Sequence, residues 1–357
     1  LCFVAAALAY AQDPIPGSLD LSFSGGTVKV ANITPGPGVG PARYVGLQPD
    51  GGILMTGACF NGNNSDFCVV RLNPDGSLDG NFVGPNGVGN GQFLVPIGTS
   101  HDYATGLALQ PDGKIVLAGQ CNNGGITDFC VARLSADGSL DTTFAGPNGG
   151  GNGRFVLPVG TRSGGGINAL ALQPDGKILL AGACDSGTYT DFCVARLNTN
   201  GTLDPEFRGP GGGAFLLRVG TGNSYVTTLA LQADGKIVLA GQCEDNGPFE
   251  FCLARLNPDG SIDASFAGPG GSGNGAFVFP LGTIHNFVKG VAVQPDGKIL
   301  LVGHCWNGSD SDFCVARLHA DGSFDANFGG PTGGGNGKFL LPIGTSHDYP
   351  LSLSLQP

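Results

Sequence analysis

Two cysteines nine positions apart, with a short polar loop between them, occur five times in the chain: Cys59/Cys68, Cys121/Cys130, Cys184/Cys193, Cys243/Cys252 and Cys305/Cys314. The step belongs to a longer period. Aligning on "LQPDGK" gives Gln48, Gln110, Gln173, Gln232, Gln294 and Gln356, spaced 62, 63, 59, 62 and 62 residues apart. Self-similarity of this length marks a repeat architecture in which each copy is one supersecondary unit. The 65 glycines and 24 prolines would indicate disorder in an aperiodic chain. Within a period they are turn positions.

Each complete copy holds four short apolar runs. In the second copy they are "GLALQ" (106–110), "KIVLAGQC" (114–121), "DFCVARL" (128–134) and "RFVLPVG" (154–160). Five to eight residues long and rich in Val, Ile, Leu and Phe, they read as strands a to d. The connectors "PDG", "SADGSLD" and "GPNGGGNG" are turn chemistry. Strands b and c are apolar on both faces, since Ile115 and Leu117 point one way and Val116 and Ala118 the other. Such sheets need cover on both sides. Four-stranded sheets stacked around an axis supply it, so the expected fold is an all-β propeller with blades of about 62 residues. Five blades are complete. Partial ones flank them: residues 17–34 read as a lone strand d with its connection, and 349–357 as a lone strand a. The expectation is a truncated six- or seven-bladed ring, incomplete at its C-terminus.

The repeated "ALQPDGKIVLAG…DFCVARL…DGSLDTTF" block resembles the bacterial delta-60 repeat, a secreted domain understood to form β-propellers. The resemblance runs from "GSLDLSF" at 17–23 to the end of the chain. It implies a fold and export, and no established reaction. The paired cysteines depart from many copies of that repeat, so their oxidation is inferred from this sequence alone.

The N-terminal "LCFVAAALAYAQDP" is an apolar run closing on Ala9-Tyr10-Ala11, an A-x-A cleavage signal. Residues 1–11 are therefore expected to be a truncated signal peptide and 12–357 the propeller, exported to the periplasm, cell surface or medium. No segment is apolar for long enough to span a membrane as a helix. Cys2 would leave with the signal, and ten cysteines would remain. Strands b and c form a hairpin with one cysteine on each, at the spacing of facing residues, within disulfide reach. Export makes the bond chemically reasonable. Free thiols are the competing state. Two thiolates without a third ligand make a poor zinc site, and no C-x-x-C suggests redox exchange.

The net charge of −11 argues against nucleic acid, which requires a basic surface. One end of the blades is monotonous, because the a–b turn is nearly one sequence. The other end carries the b–c and d–a connections and varies. Its d–a segments hold His101, Asp102 and Tyr103; His285, Asn286 and Phe287; and His347, Asp348 and Tyr349. His beside a carboxylate can act as base or ligand. The stronger reading is structural: His and Asp cap the start of a strand while the aromatic packs between blades. The b–c loops add Phe60, Tyr189, Phe249 and Trp306, of types favoured at recognition surfaces. Arg71, Arg133, Arg196, Arg255 and Arg317 recur in every blade, as do Asp79, Asp141, Asp204, Asp263 and Asp325. A charge present in every copy serves the repeat, and these read as structural ion pairs. The Gly-rich stretches lack the GK[ST] of a phosphate loop. No G-x-S-x-G or H-E-x-x-H stands out. "NPDGSLD" lacks the bidentate Glu of a calcium loop. No metal or cofactor is expected. The leading expectation is an exported module binding a protein or glycan through the b–c and d–a loops, or displaying them as a scaffold. A polysaccharide lyase or hydrolase with a His/Asp/Tyr site at the axial opening is the alternative. A structural cell-surface component is the third reading.

Overall fold

A computed structural model describes residues 42–87, 90–147, 149, 151–160, 165–208, 213–271, 273–331 and 336–355. The expected signal peptide and the expected strand d at 17–34 lie outside the described residues. The described residues form twenty strands in five antiparallel sheets of four, each in sequence order. Blade 1 contains β1 (Ala42–Leu47), β2 (Ile53–Phe60), β3 (Ser65–Leu72) and β4 (Gln92–Val95). Blade 2 contains β5 (Asp102–Leu109), β6 (Ile115–Asn123), β7 (Ile126–Leu134) and β8 (Arg154–Leu157). Blade 3 contains β9 (Gly166–Leu172), β10 (Ile178–Asp185), β11 (Thr190–Leu197) and β12 (Ala214–Leu217). Blade 4 contains β13 (Ser224–Leu231), β14 (Ile237–Glu244), β15 (Phe249–Leu256) and β16 (Ala276–Phe279). Blade 5 contains β17 (Ile284–Val293), β18 (Ile299–Trp306), β19 (Ser311–Leu318) and β20 (Lys338–Leu341). The all-β, four-stranded-blade reading therefore holds. Two compact units divide the chain, one of residues 1–158 with 199–202, the other of 159–198 with 203–357.

Two expectations about strand a need correction. It begins earlier than the apolar run suggests, so Asp102, Tyr103 and His285–Phe287 lie on strands and not in loops. The lone strand a expected at 349–357 is not a strand over the described 349–355. Those residues extend beside β17 without forming a ladder, and Leu353 sits where a Cβ on Gly290 would fall.

All five cysteine pairs are disulfides with Cα–Cα distances of 5.6–5.8 Å: Cys59–Cys68, Cys121–Cys130, Cys184–Cys193, Cys243–Cys252 and Cys305–Cys314. The pairing is the expected one, but its geometry needs correction, because the partners do not face each other across the hairpin. In blade 1 Cys68 faces Gly57 and Cys59 faces Asp66. In blade 2 Cys130 faces Gly119 and Cys121 faces Asp128. In blade 3 Cys193 faces Gly182 and Cys184 faces Asp191. Cys252 faces Gly241 and Cys314 faces Gly303 in the same register. Each bond therefore runs diagonally across its ladder. Diagonal neighbours share a face, and a disulfide tolerates this separation.

The glycine opposite the second cysteine has its own cause. A β-bulge in strand a pushes the Tyr103 carbonyl onto Gly119, and a Cβ there would collide with it. Gly182 meets the carbonyl of Gly166, Gly241 that of Tyr225 and Gly303 that of Phe287 in the same way. Within unit 1, Phe67 of blade 1 also reaches the bare Gly119 of blade 2. Within unit 2, Phe251 of blade 4 reaches Gly303 of blade 5.

The ten paired cysteines are wholly buried, Cys184 and Cys193 of blade 3 among them. Cys59 and Cys68 pack with Ile53, Val70 and Leu72 of their own blade. Others lie in the core between blades. In unit 1, Cys121 and Cys130 pack with Leu54, Phe67 and Val69 of blade 1. In unit 2, Cys243 and Cys252 pack with Phe192 and Val194, and Cys305 and Cys314 with Phe251 and Leu253.

The recurring arginines tie the same layers together. Arg255 is 4% exposed and its Nε donates to Asp263 at 2.7 Å. Its Nη1 donates to the Ala320 carbonyl in the turn after strand c of the next blade, and its face covers the Phe266 ring at 4.3 Å. Arg196 repeats this with Asp204 at 2.7 Å, the Pro258 carbonyl and Phe207. Burial opposes ionisation of Asp263, but hydrogen bonds from Ser265 and Lys236 and the charge of Arg255 outweigh it and hold the carboxyl well below the usual range.

Arg255→Met leaves the buried Asp263 with Lys236 as its remaining charged partner beside the Ser265 hydrogen bonds. The expected loss is about 3–5 kcal/mol, read from urea melts. An unchanged midpoint would refute the structural role. Replacing Cys243 and Cys252 together by Ala reopens a ten-residue loop and is expected to cost about 2.5–3 kcal/mol, with non-reducing peptide maps of the parent showing only pairs nine apart.

Candidate functional site

The b–c hairpin and the d–a segment that follows it meet at one end of each blade. In blade 2 the hairpin closes on Gly124-Gly125, both at positive φ, as a two-residue turn of primed type requires. In blades 1 and 5 the loop builds itself around one asparagine. Asn61 Oδ1 accepts from the amides of Asn63 (2.8 Å) and Asn64 (3.0 Å), and its Nδ2 donates to Asp66 (2.7 Å). Asn307 accepts from Ser309 (2.7 Å) and Asp310 (3.1 Å) and donates to Asp312 (2.6 Å). These loops are built structures and not idle spans between the cysteines.

The d–a segments lie across the hairpins. His101 Nδ1 accepts the Ser65 amide at 3.1 Å, and His347 Nδ1 accepts the Ser311 amide at 3.0 Å. Each imidazole stacks on the aromatic two positions later: His101 on Tyr103 at 6.1 Å, His285 on Phe287 at 6.4 Å, and His347 on Tyr349 at 5.9 Å. His285 adopts φ 50° at a register shift in β17, a conformation disfavoured away from glycine and common at functional positions.

The carboxylates do not join the histidines. Asp102 is wholly buried, and its Oδ2 accepts from the amides of Ile97 (2.8 Å) and Gly98 (2.9 Å). Burial pushes its carboxyl up despite those bonds. Asp348 caps Ile343 and Gly344 identically, and there the two amides hold the carboxyl below its usual range. Asn286 accepts from Gly282 at 2.9 Å and donates to Glu250. Asp102 and Asp348 thus cap the turns that precede them. Among the described residues no group of three His, Cys, Asp or Glu side chains is placed to hold a metal, and no helix is long and apolar enough to cross a membrane.

What the structure does assemble is a row of rings in unit 2. Tyr225 meets Phe249 at 5.8 Å, Phe249 meets Phe287 at 6.0 Å, and Phe287 stacks on His304 at 5.0 Å. His304 meets the edge of Tyr349 at 4.8 Å, and Trp306 meets His347 at 5.8 Å. Tyr349 is 53% exposed. Apart from this row, Tyr189 is 37% exposed and carries the Arg218 guanidinium at 4.6 Å, which in turn holds Asp191 at 3.0 and 3.1 Å. Tyr225, His304 and Arg218 escaped the sequence reading. One signal was available for His304: its place in strand b is held by Ala58, Gln120, Ala183 and Gln242 elsewhere, a varying position within a repeated strand.

The Nδ1 of His304 is buried without a hydrogen-bond partner. Burial, reinforced by the charge of Lys289, pushes its pKa down from 6.5 to about 4. A depressed folded value means that stability is fully present above pH 6.5 and is lost as pH falls toward 4. The stability difference between the parent and His304→Phe should therefore shrink or reverse between pH 6.5 and 4, measured by denaturant titration at each pH. A constant difference across that window would contradict the assignment.

Residues 48–82, 110–144, 173–207, 232–266 and 294–328 match the family model described as "Domain of unknown function (DUF5122) beta-propeller". No curated protein matches the chain by sequence. Among solved structures, the PQQ-bound aldose sugar dehydrogenase of Streptomyces coelicolor is 15% identical, with 87% of this chain and 82% of that one covered and a TM-score of 0.39. A PL25 ulvan lyase is 14% identical, with coverage of 80% and 68% and a TM-score of 0.45. Drosophila plexin A in complex with semaphorin 1b is 12% identical, with coverage of 85% and 57% and a TM-score of 0.36. At these scores no argument rests on the individual likenesses. The five matched segments fall at the same place in the five blades, from the end of strand a to the phenylalanine after strand c, and the chain belongs to a β-propeller repeat family.

Proposed function

We propose that this chain is an exported recognition module that binds a protein or glycan through the b–c and d–a end of its blades. The observation that carries this reading is the ring row of unit 2, together with the proof inside the same chain that folding does not require it. Trp306 occupies a position filled by Asn122, Asp185 and Glu244 in blades that fold alike. His304 stands where Ala183 serves in blade 3. Rings that the repeat can do without, kept partly in solvent beside a disulfide-locked core, suit contact with a partner. Export is supported by five disulfides, which persist in oxidising compartments. It is supported also by the A-x-A signal at residues 9–11 and by the resemblance to the delta-60 repeat.

Replacing Trp306 and Tyr189 by Ser is expected to leave the thermal midpoint within a few degrees of the parent. Binding to glycan and protein arrays should weaken about tenfold or more, roughly 1.4 kcal/mol. Gly113→Val, at φ 83° in an a–b turn, should do the reverse by straining the backbone. Undiminished binding by the Ser variant would place recognition elsewhere.

A further inference from the structure

The b–c loop and d–a segment of blade 1 and those of blade 5 are one structure built twice. In unit 1 the sequence is "FNGNNSDFC" at 60–68 followed by "GTSHDY" at 98–103. In unit 2 it is "WNGSDSDFC" at 306–314 followed by "GTSHDY" at 344–349. The histidine follows its serine partner by 36 residues in both. The bonds repeat one for one: asparagine to two loop amides and to the aspartate, histidine Nδ1 to the serine amide, aspartate to the two amides before the turn. Blades 2, 3 and 4 do not carry the combination. Their loops read "NNGGITDF", "DSGTYTDF" and "EDNGPFEF", and the segments after them "GTRSGG", "GTGNSY" and "GTIHNF".

We propose that these two cassettes are equivalent, independent binding sites for the sugar residues of a neutral polysaccharide. The proposal rests on the recognition reading above and adds a ligand class and a stoichiometry. Each cassette presents an aromatic ring after the first cysteine, Phe60 or Trp306, and an imidazole stacked on Tyr103 or Tyr349. Ring faces of this kind suit the C–H face of a pyranose. Because Nδ1 is occupied by a backbone amide, the neutral imidazole carries its proton on Nε2, and both histidines are exposed. That leaves a directed donor for a sugar oxygen. On the same loops Asn64 Oδ1 accepts from Asn61, and Asp310 accepts from Asn307 through one carboxylate oxygen, which leaves its other oxygen as an acceptor for a hydroxyl. Neither cassette contains Lys or Arg, and the chain carries a net charge of −11. A sulfated, phosphorylated or uronate polymer would find no counter-charge in the cassettes, which directs the choice to a neutral one.

The full chain is run through affinity gels containing a soluble glucan, a mannan or a xylan, and the tetrasaccharide of any polymer that retards it is titrated by calorimetry. The expected result is retardation by at least one polymer and two tetrasaccharide sites per chain. Tyr103→Ala and Tyr349→Ala should each leave one tetrasaccharide site and weaken polymer retention. His101→Ala and His347→Ala, at exposed side chains, repeat the test if either Tyr variant fails to fold. One site in the parent, or one variant that abolishes both sites, overturns the duplication. Retardation by none of the three polymers, with a protein partner lost on changing Trp306 and Tyr189 to Ser, overturns the glycan assignment and leaves the recognition reading standing. Retardation unaffected by any of the four variants overturns the placement of the sites.

Discussion

A guanidinium enclosed between two sheets must satisfy its N–H groups and its charge without water. In blades 3 and 4 this requirement organises the neighbouring layers. Arg196 and Arg255 each neutralise an aspartate of their own blade, cover a phenylalanine with their flat face, and direct a remaining donor to a carbonyl of the following blade. In blade 4 the aspartate is engaged in turn by amide and hydroxyl donors two residues on. Each partner is fixed by another bond, so the charge pair acts as a positional constraint as much as an attraction. The backbone bond from Ala267 to the Asp321 carbonyl, at 2.9 Å, lies beside it and sets the same spacing between turns.

With the layers held this way, the two ends of a blade are free to differ. The a–b end is one turn repeated with little change, and its chemistry serves the chain reversal. The b–c and d–a end keeps a cysteine pair to hold the strands in every blade, while the cap of the turn is Asp102, Asn286 or Asp348 in three segments and differs in the others. Everything beyond that is at liberty to vary, and the rings of blades 4 and 5 use the liberty. Function on such a scaffold belongs to sites grafted onto a fold that does not depend on them.

The period, the four strands, the pairing of the cysteines and the structural reading of the Arg and Asp rows were all legible in the sequence. Each is a local pattern or a within-chain repetition. What escaped depends on contacts between distant positions. The ring row joins Tyr225, Phe249, Phe287, His304 and Tyr349, which no short window contains. The diagonal run of Cys68 to Cys59 or Cys193 to Cys184, and the bare glycine opposite, depend on register. The glycine answers to a bulge in strand a, and a bulge leaves only a faint trace in composition. Asp102 reads in the sequence as a strand cap or as a base beside His101, and its burial and two backbone donors supply the capping geometry.

The locality of the disulfides bears on how the protein comes to be made. Ten cysteines admit on the order of a thousand pairings. Each native partner here is nine residues away, on the adjacent strand of the same hairpin. A chain delivered to an oxidising compartment from its N-terminus offers the two thiols of one hairpin to each other before the next pair emerges. Oxidation can then proceed blade by blade, with the proper partner always the nearest in sequence, and an isomerase would have little to repair.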